Sequence, residues 1–167
     1  MYKKIIGIVL CTLLGGCSAN YSLSGASIPD YAKTFSVQYF KNTAQLAGPT
    51  VAQGFTDALR NYIASHSRLA LTTDGDLDFT GAVSGYSIAP VTASSTVPSQ
   101  SQTTRLTITV DVTYTDKKDA KKSFNASFSR YADFSSSVSI TTVQDGLITS
   151  IDNQLVQDIF DKAFNNW

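Results

Sequence analysis

Leu106-Thr107-Ile108-Thr109-Val110-Asp111-Val112-Thr113-Tyr114 alternates apolar with hydroxyl or acidic side chains without a break. Successive side chains of a strand point to opposite faces. This period of two therefore puts Leu106, Ile108, Val110, Val112 and Tyr114 on one side, and Arg105, Thr107, Thr109, Asp111 and Thr113 on the other. A helix would scatter both sets around its axis. The stretch reads as a strand with one face in a core and one polar face, the pattern of a sheet covered on one side.

Working outward, residues 115–122 form a charged turn. Phe124, Ala126 and Phe128 then alternate with Ser123, Asn125, Ser127 and Ser129, giving a strand that pairs with the first as a hairpin. Upstream, residues 90–102 carry two prolines and no charge and read as a long loop. Before it, Leu77, Phe79, Gly81, Val83 and Gly85 alternate with Asp78, Thr80, Ala82 and Ser84. Residues 68–73 read as a short extended piece, closed by an Asp74-Gly75 turn. Residues 34–40 form a further strand, with Phe35, Val37 and Tyr39 on one face. Between these lies a helix over 49–65: Pro49 suits its first turn, and Val51, Phe55, Ala58, Leu59, Tyr62 and Ile63 recur at helical spacing. A second helix spans 142–165, with Thr142 as N-cap, Asp145 three residues on, and a stripe of Val143, Leu147, Ile148, Ile151, Leu155, Ile159 and Ala163. The order is β-α-β-β-β-α. One apolar face per strand and one stripe per helix predict an α+β two-layer sandwich, with both helices on one face of a four-stranded sheet.

The chain has 167 residues, with 13 basic against 13 acidic, and every acid is Asp. Without Glu there is no HExxH metalloprotease motif, and the charge balance excludes a strongly basic nucleic-acid binder. Charged residues make up only 16%, against about 25% in soluble domains. The missing polarity is supplied by 21 Ser and 19 Thr.

The N-terminus reads MYKKIIGIVLCTLLGGC. Lys3 and Lys4 precede an apolar run over residues 5–14, too short for a membrane span and laid out as a secretory signal. Leu14-Gly15-Gly16-Cys17 resembles the bacterial lipobox, which implies cleavage between Gly16 and Cys17 and acylation of Cys17. The expected organisation is a signal peptide over 1–16, a lipid-anchored tether over 17–32 and a single sandwich domain over 33–167. Loss of Lys3 and Lys4 makes the remaining chain slightly acidic, and loss of Cys11 leaves Cys17 without a disulfide partner. Two or more acyl chains give stable anchoring where one does not.

No constellation points to catalysis. His66 is the only histidine, and its neighbours Ser65 and Ser67 at a helix end do not form a triad. Asp74, Asp76 and Asp78 share the opening spacing of a calcium loop, but Phe79 replaces the required Gly and Gly85 the bidentate acid, so no metal or cofactor is expected. Lys117, Lys118, Lys121 and Lys122 cluster at the charged turn, where they could meet an anionic glycolipid or simply be a solvated turn. Thr107, Thr109, Thr113, Ser123, Ser127 and Ser129 line the polar side of two strands. They are either an ordinary wet face or a weakly charged surface for another protein.

Tyr21-Ser22-Leu23-Ser24-Gly25-Ala26-Ser27-Ile28-Pro29 after the lipobox, Val37-Gln38-Tyr39-Phe40, Leu106 to Val110, Phe128-Ser129-Arg130-Tyr131-Ala132-Asp133, Leu155 to Phe160 and the terminal Asn166-Trp167 together resemble the LptE-like lipoproteins of Bacteroidota. The resemblance implies a non-enzymatic, periplasm-facing outer-membrane lipoprotein of lipopolysaccharide export, the same two-helix sandwich, and a role as plug and assembly partner of a large transmembrane β-barrel. In better-known relatives basic residues are credited with lipopolysaccharide contact, whereas residues 90–102 here contain no Lys or Arg. The competing reading is a solitary lipoprotein that binds glycans or other surface ligands.

Overall fold

The alternation around Val110 is carried through as the middle of three long antiparallel strands. The computed structural model describes residues 28–91 and 103–165. The lipobox, Cys17, most of the tether and the loop residues 92–102 lie outside them. The elements are β1 (Thr34–Val37), β2 (Lys41–Asn42), α1 (Pro49–His66), β3 (Ala70–Leu71), β4 (Leu77–Val91), β5 (Thr103–Asp116), β6 (Phe124–Ser135) and α2 (Ile140–Phe164). The sheet order is β3-β1-β4-β5-β6, with β2 also pairing β4. β1, β2 and β3 join in parallel, and β4, β5 and β6 are antiparallel. The α+β class with two helices holds, but the sheet is mixed and has six strands rather than four.

The additional strands are β2, formed where the first predicted strand breaks, and β3. Residues 34–40 do not alternate through to Tyr39. The strand stops at Val37, Tyr39 is exposed and Phe40 is buried instead. Phe40 packs on Phe55 of α1 with ring centroids 5.0 Å apart, and its N–H donates to Thr56 Oγ1 at 3.1 Å. The chain then rejoins the edge of β4 as β2. Tyr39, turned outward, lies under the Arg60 guanidinium. The short extended piece becomes β3, two residues pairing with Thr34 and Phe35.

β4 is longer than its alternation indicated and changes phase. The register shifts between Val83 and Gly85. This bulge lets one strand gain a residue and inverts the faces beyond it. Tyr86, opposite Ile108, therefore enters the core, while Gly85 faces Thr109 on the other side. Pro90 and Val91, expected in the loop, pair with Thr104 and Thr103.

α2 begins at Ile140, with Ser139 in the N-cap position and no side-chain cap bond, so Thr142 lies inside the first turn. Its apolar surface is two adjacent stripes, because it touches both the sheet and α1: Ile151, Leu155 and Ile159 run beside Asp152, Val156 and Phe160, all buried. Arg130 of β6 fastens it from outside, with Nε and Nη2 donating to both oxygens of Asp158 at 2.5 and 2.6 Å.

The core lies between the helices and the apolar face of β1, β4, β5 and β6. Phe79, Tyr114, Phe124 and Phe164 fill the end nearest the charged turn. Burying each such ring contributes about 1.5–3 kcal/mol. Gly81 is required by a close approach: a β-carbon there would lie 2.0 Å from the Asp111 carbonyl oxygen and 2.6 Å from the Phe40 ring. Gly81→Ala is expected to lower unfolding free energy by about 1–3 kcal/mol, the range for overpacking a tight site. Urea denaturation with an unchanged slope would confirm it, and an unchanged midpoint would contradict it.

Candidate functional site

Helices cover one face of the sheet; the opposite face of β4, β5 and β6 carries no layer among the described residues. The pairing register sets its content. Thr113 stands between Thr80 and Asn125, Asp111 between Ala82 and Ser127, Thr109 between Gly85 and Ser129, and Thr107 between Ser87 and Tyr131. Five of the six expected hydroxyl residues share this face. Ser123 precedes β6, where its Oγ accepts from the Asp116 N–H at 3.0 Å.

The charges on the face are few and mostly engaged. Asp78 accepts a bond from the Ser36 hydroxyl across to β1. Arg105 forms a fork with Asp133, at 2.7 and 2.8 Å, and lies 3.5 Å over the Tyr131 ring. This bond holds the Asp133 carboxyl below its usual range. Thr109 and Ser129 hydroxyls are 3.0 Å apart across two strands. Beside the β4 bulge the face dips into a depression of about 360 Å³, lined by Ser84, Gly85, Ser87, Thr107 and Thr109 and overhung by exposed Leu46. Short hydroxyl side chains lose little entropy when covered, whereas a face meant only for water normally carries more charge. Tyr131 and Asp133 lie beyond the alternation that ended at Ser129; the signal for them is Phe128-x-x-x-Ala132-x-Phe134, which keeps the same phase.

The lysine turn is folded around an acid. Asp116 is 2% exposed, and its carboxylate accepts the Tyr31 hydroxyl at 2.5 Å and the N–H groups of Lys118 and Asp119 at 2.9 Å. The Asp116 bond pushes the Tyr31 phenol up to about 12. Lys117 pairs with Asp74. Lys118 donates to the Tyr31 carbonyl at 3.4 Å and reaches Asp76 at 3.9 Å, and both Lys118 and Lys122 approach the Tyr31 ring. Lys121 and Lys122 make no ion pair among the described residues. The turn therefore fastens Tyr31, just ahead of β1.

The three spaced aspartates are structural. Asp76 accepts the N–H groups of Lys33 and Thr34 at 3.0 and 3.1 Å and the Thr34 hydroxyl at 3.0 Å, which holds its carboxyl below the usual range. Asp76 and Asp78 thus anchor β1. His66 is exposed at the end of α1, stacked on Tyr62 at 4.0 Å. No helix among the described residues is long and apolar enough to cross a membrane.

The sequence profile described as LptE, lipopolysaccharide-assembly, matches residues 32–163. No curated protein sequence matches the chain. Among solved structures, a minor lipoprotein from Acinetobacter baumannii superposes with TM-score 0.51 at 14% identity, covering 78% of this chain and 91% of that one. A hypothetical protein from Chlamydia trachomatis gives 0.54 at 8% identity, covering 80% and 99%. A neuraminyllactose-binding hemagglutinin homologue from Helicobacter pylori gives 0.54 at 11%, covering 87% and 92%. At these identities the three structures support the fold.

Proposed function

Because the chain belongs to the LptE lipopolysaccharide-assembly family, we propose that it is a lipid-anchored outer-membrane subunit of lipopolysaccharide export that acts as plug and assembly partner of a transmembrane β-barrel. The observation that carries this reading is the open face of β4, β5 and β6, rich in hydroxyls and nearly free of unengaged charge. The lumen of a large barrel is polar, and a rigid domain with a flat, polar, weakly charged face suits it. Its contribution is binding and positioning rather than turnover.

The anchor in this reading is acylated Cys17, facing the periplasm from the inner leaflet. The tether reaches the domain at Tyr31, so the lysine turn stands at the membrane-proximal end. Lys121 and Lys122 are then the basic groups left to meet an anionic glycolipid, since Lys117 and Lys118 are engaged by Asp74, Asp76 and Tyr31.

Tagged protein extracted in detergent from the native envelope is expected to co-purify with one large β-barrel. Asn125→Arg with Ser127→Arg, both exposed on this face, should abolish that capture while changing stability by no more than about 0.5 kcal/mol, as exposed substitutions usually do. Cys17→Ala should move the protein out of the membrane fraction. A wild-type protein that elutes alone and retains a glycan would favour the solitary binding module and end the plug reading.

A further inference from the structure

The first halves of α1 and α2 leave an open groove of about 390 Å³ between them. The helices close on each other only further along, where Tyr62 and His66 meet Phe160. Gly54 is part of the cause. A β-carbon there would meet nothing within 4 Å, so α1 offers a hydrogen where a side chain would normally fill the space. Glycine inside a helix costs about 1 kcal/mol relative to alanine, and here no close packing requires it. Thr50, Asn61 and Asn153 line the groove with hydrogen-bonding groups, and Asp57 and Asp145 add two acids.

Asp152 also lines it. This residue is 5% exposed, and its Oδ1 has no hydrogen-bond partner. Burial pushes its carboxyl up to about 7. Among the described residues no cation pairs with it. On α1, Arg60 donates to the Val37 carbonyl at 3.2 and 2.6 Å and pairs with Asp57 at 3.5 Å. On β6, Arg130 is committed to Asp158. β5 turns Leu106, Ile108, Val110, Val112, Tyr114 and, at its far end, Asp116 toward the helix side, and none of them is a cation. The other ionisable groups in the groove, Asp57 and Asp145, carry the same sign as Asp152.

We propose that this groove receives a cationic side chain, arginine or lysine, from a protein partner, with Asp152 as its buried counter-charge. A guanidinium or ammonium brings donors to an oxygen that has none, and a charge-assisted bond made out of water is among the stronger polar contacts. The groove lies within the ~300–1,000 Å³ range of sites that enclose a small group. A metal ion fits less well, since no three metal-ligating side chains converge among the described residues. The site is on the helix layer, not on the open sheet face. A failed pull-down therefore leaves it standing, and a silent groove leaves the plug reading standing.

The test uses the whole mature chain and N-acetyl-arginine amide as probe, with the neutral N-acetyl-citrulline amide as control. At about 10 mM, a concentration suited to a weak fragment, the arginine probe should lower the titration midpoint of the Asp152 carboxyl carbon by about one unit, a tenfold change. It should also shift the amide resonances of Gly54, Asn61 and Asn153. Asp152→Asn should abolish the amide shifts. Gly54→Phe, which fills the groove from the α1 side, should abolish the response to the probe at Asp152 and at Asn61 and Asn153 while leaving the fold intact. An unmoved midpoint, an equal response to citrulline, or undiminished amide shifts in the Asn variant would overturn the proposal.

Discussion

Val110→Asp is expected to abolish cooperative unfolding. Val110 is fully buried at the middle of β5, opposite Val83 on one side and Phe128 on the other, on the face that packs against α2. A carboxylate there has no donor within the apolar layer, and burying a charge without a partner is among the few single changes that cost more than about 4–5 kcal/mol. That is comparable to the whole stability of a domain, about 5–15 kcal/mol. Val110→Ala, which only opens a cavity, should cost roughly 2 kcal/mol and keep a sharp transition. The adjacent Asp111 is an internal control, since the same side chain one residue on is exposed on the open face. Near-UV circular dichroism and thermal melts distinguish the outcomes. A melt of the Asp variant that matches the wild type would mean that the two faces of β5 are reversed.

The converse experiment removes a buried carboxylate. The Asp152 carboxyl ordinarily titrates at 3.8 and is raised by burial to about 7. Between those values the folded chain holds a proton that the unfolded chain has released, so stability falls as pH rises, by about 1.4 kcal/mol per pH unit. The contribution is fully present below pH 3.8 and is lost as pH passes 7. Across the window the loss is on the order of 4 kcal/mol. Asp152→Asn should remove this slope. The variant should match wild type at about pH 4 and exceed it by about that amount at about pH 8 in urea unfolding. Asp76 and Asp133, held low, act in the opposite direction: their contribution is present above 3.8 and lost on acidification. They are common to both proteins, so the difference between the two curves isolates Asp152. A pH-independent difference would refute the assignment.

β5, α1 and the hydroxyl face were legible in the sequence because each follows from a local period that the tertiary structure leaves intact. Val110 and Thr109 fall on opposite sides whatever packs above them. The parts that were not legible depend on partners distant along the chain. Phe40 replaces Tyr39 inside because Thr56 and Phe55 of α1 capture it. β3 exists because β1 offers an edge. The bulge at Ser84 changes which side Tyr86 takes, and no alternation can report a phase change at its own interruption. Asp152 shows a different failure. An aspartate within a helix reads as solvated, yet Ile148, Asp152, Val156 and Phe160 recur every four residues, and that phase indicates a position in the second stripe. Only the presence of α1 beside α2 makes the second stripe an inside.

β6 carries one further consequence. It ends the sheet, hydrogen-bonded on one side to β5, with no strand on its other side among the described residues. Over Phe124–Ser135 it contains neither proline nor lysine, and its one arginine is turned onto α2. Natural sheets usually guard such an edge with those residues, because its free amides and carbonyls are a template for any extended chain. Solubility of the isolated domain is therefore a matter of concentration. Copies whose β6 is left uncovered present identical edges to one another, so self-association of the domain should rise with its concentration and fall when another chain covers β6.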